Sequence, residues 1–265
     1  MSLPRRLVHN EFDLQDIAES SGRPIDLVER DFALVTLAAH LTDQFPDQLC
    51  FKGGFVLRHV RGSGRLSGDI DATRTNPGKH KLDAEEVAEA LRRASDEPLL
   101  RFDPGAPETD SKQSLDFDGV EYFTEREKGR LAVEVSYREE VVDKPDLVVV
   151  GPPYYDLFEI PVLTLEEGTA EKLRTLLQRR RPTDLSDIAL ILDTYGDELN
   201  RARVRELAVV KFELVKQGNY RGRIEETVDA LAGEYAETLP GLDPEAPSYE
   251  EARATLLRDL GDLLP

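Results

Sequence analysis

Asp69 and Asp71 stand two residues apart in the stretch 67–74, SGDIDATR. Read as a strand, 67–72 sends both carboxylates to one face. Two carboxylates side by side repel unless a cation lies between them. A divalent metal is the natural occupant, and Mg²⁺ favours carboxylate and phosphate oxygens. A third carboxylate on a neighbouring strand would complete a two-metal site. Glu134 is the best candidate, because in LAVEVSY (131–137) it alternates away from the apolar Leu131, Val133 and Val135.

Upstream, Gly53 and Gly54 follow a short apolar run, 48–51, and precede a helical pattern at 55–60. Glycine lets the backbone approach a phosphate closely, and the amides at a helix N-terminus favour anions. A Gly-Gly pair alone marks many ordinary turns, and a D-x-D pair alone is common on loops. The order strand, Gly-Gly, helix, D-x-D strand is more specific, and it sets a triphosphate cradle beside a metal site.

Basic residues gather nearby. Lys52, Arg58, Arg61, Arg65 and Arg74 face two acids within 51–75, a local balance of +3. Lys172, Arg174, Arg179, Arg180 and Arg181 form a second cluster with no acid in 172–181. Such clusters can form an anionic-ligand site, or can be ordinary helix-surface cations. Arg65 and Arg74, flanking the D-x-D strand, either neutralise phosphate or balance the aspartates. Asp184 reads mainly as a helix cap, with Asp187 one turn further in and able to face a core site.

The elements that must position these residues follow from periodicity. Helices are expected at 25–43, 55–60, 83–95, 165–179 and 184–195, with Pro182 barring continuation of the helix before it. Strands are expected at 48–51, 67–72, 119–123, 131–137 and 146–150. From Asp197 the chain reads as all-helical, with a break at GLDPEAPS near 241. The order predicts an α+β fold: a mixed β-sheet core with a helical N-terminal lead and a helical C-terminal part. The expected division is 1–160 for the α/β core and 161–265 for the helical part.

The 265 residues are 40% hydrophobic and 33% charged, enough for a sizeable core. No apolar run approaches the ~20 residues that cross a bilayer, and no secretory signal is visible, so no membrane association is expected. Cys50 is the single cysteine, which excludes an internal disulfide, fits a reducing cytoplasm and reads as buried packing. The formal net charge of −19 argues against general coating of nucleic acid. His9, His40, His59 and His80 share no metal-ligand spacing. Neither a G-x-S-x-G nor a Walker-type motif occurs, which speaks against serine hydrolases and P-loop NTPases.

The stretch 52–72, KGGFVLRHVRGSGRLSGDIDA, resembles the KGG(S/T)…R-(F/L)-S-x-D-I-D motif of the AbiEii-type abortive-infection toxins. These are nucleotidyltransferases, with MenT-type tRNA-modifying toxins as relatives. The stretch 163–192 is similar to the family's second signature, a helix with a lysine followed by an R-D-x-x-D-like turn and helix. VERDFALVTLAAHL (28–41) matches the lead-in, so the resemblance covers about 25–195. It implies a nucleotidyltransferase core in which Asp69 and Asp71 hold Mg²⁺. It also implies that Gly53, Gly54 and Ser67 lie against the triphosphate, with Lys52 and Arg65 among the substrate-binding residues. Lys172 would contact the phosphates and Asp187 would be a further active-site acid. Two departures stand out: Phe55 replaces the hydroxyl residue that commonly follows Gly-Gly, and Pro182-Thr183 precedes Asp184 where an arginine often stands.

The resemblance further implies an NTP substrate, the 3′ end of tRNA as acceptor, arrested translation and a cognate antitoxin. Nucleotidyl transfer to a protein side chain or small molecule, and a catalytically inactive nucleotide- or partner-binding protein, remain open alternatives.

Overall fold

The computed structural model describes residues 3–75, 81–95, 99–215 and 218–265; His80 lies outside them. The chain forms two compact units. The first takes Met1–Val60, Leu66–Val141 and Pro145–Val162, and the second takes Arg61–Arg65, Val142–Lys144 and Leu163–Pro265. The two short excursions, 61–65 and 142–144, are what a contiguous division leaves in the first unit.

The first unit begins with α1 (Glu11–Ser21) and α2 (Ile25–Gln44), followed by β1 (Leu49–Lys52), α3 (Gly53–Val60), β2 (Asp69–Arg74) and α4 (Ala84–Arg93). The strands β3 (Arg101–Asp103), β4 (Thr109–Asp110), β5 (Ser114–Phe123), β6 (Lys128–Ser136), β7 (Asp146–Val150) and β8 (Phe158–Val162) complete it. They form one mixed sheet in the order β3-β5-β6-β2-β1-β8-β7, with β4 on β5. β2 is central, antiparallel to β1 and parallel to β6.

Alternation gives this sheet two different faces. Phe51, Ile70, Val133, Val135, Phe117 and Ile160 point to one side and are buried with Phe32, Phe55 and Val87 of the helices in one apolar core. The opposite parity carries Lys52, Asp69, Asp71, Glu134 and Asp116. α2 is so apolar because 13 of its 20 residues are buried.

The second unit is helical: α5 (Leu165–Arg179), α6 (Pro182–Tyr195), α7 (Arg201–Phe212), α8 (Tyr220–Ala230), α9 (Ala232–Leu242) and α10 (Tyr249–Leu263). Pro182 sits at the first position of α6, where its missing N–H costs nothing. The break near 241 separates α9 from α10, whose start is fixed by a capping box between Ser248 and Glu251. Glu167, fully buried, accepts the backbone N–H groups of Val142 (2.9 Å) and Asp143 (3.0 Å) and the Lys211 ammonium (2.6 Å). Arg203 clamps the Asp143 side chain. The segment 142–144 is thereby pinned into the helical unit.

Several elements differ from expectation. α1, β3, β4 and β8 were not anticipated individually, and β5 starts at Ser114 rather than 119. β2 begins at Asp69, leaving Ser67 in the preceding turn, and α3 begins at Gly53 itself.

Candidate active site

The register of the sheet builds an acidic row. Lys52 pairs with Asp71 across β1 and β2, Asp71 with Glu134 across β2 and β6, and Glu134 with Asp116 across β6 and β5. Registered neighbours point the same way, so one cation and three carboxylates form a line on one sheet face, one strand spacing of ~4.8 Å apart. Asp69 lies two residues before Asp71, level with Ala132. The structure thus brings together Asp69, Asp71 and Glu134.

Each carboxylate has a support. The Ser67 hydroxyl, buried in the turn, donates to Asp69 Oδ1 at 2.6 Å and to the Asp69 carbonyl at 3.1 Å. Gly53 has φ +72, and a Cβ placed there would lie 2.2 Å from Asp71 Oδ2. Only a residue without a side chain lets this turn press against that carboxylate. The Lys52 ammonium is paired with buried Glu139. Burial pushes the Glu134 carboxyl above its ordinary range; Lys52 opposes this, while Asp116 and Glu139 add to it. Asp116 was missed in the sequence. Its Oδ2 accepts the Ser114 hydroxyl at 2.9 Å, and its buried Oδ1 has no hydrogen-bond partner among the described residues.

Phe55 is fully buried, its ring 4.6 Å from that of His59 and 6.1 Å from that of Phe51. The side chain after Gly-Gly therefore serves the core of this protein.

Asp187, Lys172 and Arg65 belong to the helical unit and form a buried charge string there. Lys172 Nζ lies 2.7 Å from Asp187 Oδ2 and 3.3 Å from Asp184 Oδ1. Arg65 Nη2 reaches both Asp187 oxygens, at 3.2 and 3.1 Å, and Arg179 Nη2 reaches Asp184 Oδ1 at 3.0 Å. Signs alternate along Arg65–Asp187–Lys172–Asp184–Arg179. Burial alone would lower the Lys172 pKa, but Asp187 and Asp184 outweigh it and hold the ammonium above the ordinary lysine value.

Three readings change here, and Arg65 takes an acidic partner. Asp184 is fully buried and takes Lys172 and Arg179 rather than capping α6, whose N-terminus has no side-chain cap. Arg74 has the opposite parity to Asp71 and donates to Gln48 at 2.7 Å, so it does not join the acidic face. The cluster 172–181 is not one basic patch. Lys172 and Arg179 are paired as above, and buried Arg174 is held by Glu171 and Gln178. Arg65, expected among the substrate-binding residues, gives its guanidinium to Asp187.

Two carboxylates on one face with a third beside them suit a hard divalent cation. Among the described residues no three His, Cys, Asp or Glu side chains converge closely enough to hold a metal by themselves. An ion at this face would therefore draw on phosphate and water oxygens too, the mixed coordination Mg²⁺ adopts with nucleotides. Among the described residues no helix is long and apolar enough to cross a membrane.

Two solved structures from Helicobacter pylori share this fold. A protein from H. pylori described as a putative nucleotidyltransferase superposes with a TM-score of 0.64 at 15% identity, covering 90% of this chain and 95% of that one. JHP933 from Helicobacter pylori gives 0.62 at 16% identity, covering 90% and 92%. MenT4, a nucleotidyltransferase toxin from Mycobacterium tuberculosis, aligns over 95% of this chain and 99% of its own at 19% identity, with a TM-score of 0.47. No curated protein is significantly similar to the chain in sequence. The architecture is that of the nucleotidyltransferases. The sequence profile of the AbiEii nucleotidyl transferase toxins, type IV toxin–antitoxin systems, matches residues 36–259. The chain belongs to that family.

Proposed function

We propose that this chain transfers a nucleotide from an NTP to the 3′ end of tRNA, releasing pyrophosphate and so blocking aminoacylation and translation. The observation that supports this reading is the register that sets Asp69, Asp71 and Glu134 on one sheet face, with the Gly53 turn against Asp71. The acceptor hydroxyl gives up its proton to solvent as its oxygen forms a bond to the α-phosphorus, the bond from that phosphorus to the α–β bridging oxygen breaks, and pyrophosphate leaves with that oxygen. Mg²⁺ held by Asp69 and Asp71, with Glu134 as the further acid, would supply positive charge to the triphosphate and lower the pKa of the attacking hydroxyl. Ser67 fixes one Asp69 oxygen, and the turn at Gly53 and Gly54 orients Asp71 and offers backbone amides to phosphate. Lys52, level with Asp71, limits the negative charge of the row. The family setting supports a cognate antitoxin, and a reaction on NTP and tRNA would run in the cytoplasm.

The formal net charge of −19 favours a second reading, in which the acceptor is a protein side chain or a small molecule rather than a polynucleotide. One experiment separates the two. Purified protein is incubated with Mg²⁺, each labelled NTP in turn and total tRNA, beside an Asp71→Ala control. Label on tRNA that the control lacks supports tRNA as acceptor. Label on protein moves the acceptor to a side chain, and no label on either, in a preparation that still binds NTP, points to an acceptor absent from the mixture or to an inactive site.

A further inference from the structure

The sheet ends on one side at β7, whose outer edge pairs with no strand among the described residues. Its pairing with β8 sets Leu147 level with Pro161 and Val149 level with Glu159. By alternation Leu157, just before β8, continues the same face. Leu147, Val149 and Leu157 are 57%, 54% and 70% exposed, so three of the most exposed large apolar side chains among the described residues share one ribbon. Edge strands are normally blunted by charge, especially lysine. From 145 to 151 this one carries no cation, and its charged residue is Asp146.

We propose that the β7 edge is a docking surface for an extended, basic–apolar segment of a partner protein, which adds to the sheet as a further strand. The backbone groups along the outer edge of β7 supply the hydrogen bonds for strand addition. Leu147 and Val149, two apart on one face, call for apolar residues at alternate positions of the incoming strand. Asp146 at the strand start, which alternates away from Leu147 and Val149, calls for lysine or arginine between the apolar positions. A second copy of this chain fits poorly, because each copy brings a formal charge of −19 to the contact. Nucleic acid fits worse still, since neither apolar side chains nor carboxylates attract phosphate. Pro145 and the Gly151-Pro152-Pro153 turn bracket the edge, so the docked stretch is short, matching the five residues of β7.

The test uses the full chain and two fluorescein-labelled heptapeptides, one alternating lysine with valine and the other glutamate with valine, read by anisotropy. Saturable binding of the lysine peptide, at least about tenfold tighter than the glutamate peptide, is the expected result. Leu147→Ser with Val149→Ser should abolish it, and Asp146→Lys should reverse the preference. A lysine peptide N-methylated at alternate residues, which lacks the donors for strand pairing, should fail on the unaltered protein; this arm stands even where a variant does not fold. Equal binding of both peptides, no saturable binding, or undiminished binding of the N-methylated peptide would overturn the proposal. So would sedimentation showing a dimer that Leu147→Ser with Val149→Ser dissociates, since the occupant would then be a second copy.

Discussion

Glu134 lies level with Asp71 on the neighbouring parallel strand, with the two carboxylates on one face of the sheet. Like charges in that relation destabilise the sheet that holds them, and β6 adds to the cost by burying Glu134 behind Asp116. A fold keeps such an arrangement when something cationic uses it. The energetics of this row are therefore a direct route to its role.

Asp71→Asn keeps the shape and removes the charge. Nucleotidyl transfer should fall by at least roughly 10²–10³, while the thermal midpoint stays level or rises. A variant that retains wild-type transfer in the labelled-NTP assay would remove Asp71 from the reaction.

Glu134→Gln should stabilise the metal-free protein at neutral pH. The folded-state pKa of Glu134 is raised, so its contribution to stability is fully present below the unfolded value of ~4.3 and is lost as pH rises through the folded value. The gain from Gln, of order 1 kcal/mol or less after solvent screening, should vanish near pH 4. Denaturant midpoints at pH 4 and pH 7.5 check the sign.

Gly53→Ala meets two obstacles, a backbone at φ +72 and the Asp71 carboxylate 2.2 Å from the new methyl group. The backbone alone costs about 1–2 kcal/mol, and the carboxylate must move. Transfer should fall more steeply than stability. Gly168→Ala is the contrasting case: it sits within α5 with open space around its Cβ position. It should raise stability by about 0.5–1 kcal/mol and leave transfer intact.

Lys172→Met leaves Asp184 and Asp187 buried without their shared ammonium, at a cost of about 3 kcal/mol or more. The raised Lys172 pKa means this contribution is whole below the ordinary lysine value of ~10.4 and is lost only as pH rises through the higher folded value. The gap between wild type and variant, measured by urea unfolding, should stay constant from about pH 6 to 9. If the family resemblance extends to Lys172 contacting phosphate, transfer will fall further than Asp184→Asn makes it fall at matched stability.

The acidic face was legible because alternation is strict there: Leu131, Val133 and Val135 fix the parity of Glu134, and the same rule fixes Asp69 with Asp71. Asp116 was not legible. A register shift between Phe117 and Val120 breaks the alternation of β5, so only 119–123 read as a strand. Arg74 could have been excluded by counting, since it stands three residues from Asp71. The partners of Arg65 and Asp184 could not be read, because they depend on which distant acids the fold buries. Local spacing made Asp184 look like a cap, whereas burial gave it to Lys172 and Arg179.

The pinned segment 142–144 bears on how this protein can be cut. Its helical part is not a module that follows its catalytic part in the gene. Residues 61–65 and 142–144, interior to the α/β sequence, supply groups that the helices need. A fragment of 163–265 would strip Glu167 of two amide donors and Asp187 of its arginine. Each half is written partly in the other's sequence, so neither is expected to be exchanged intact between relatives by simple end-to-end recombination.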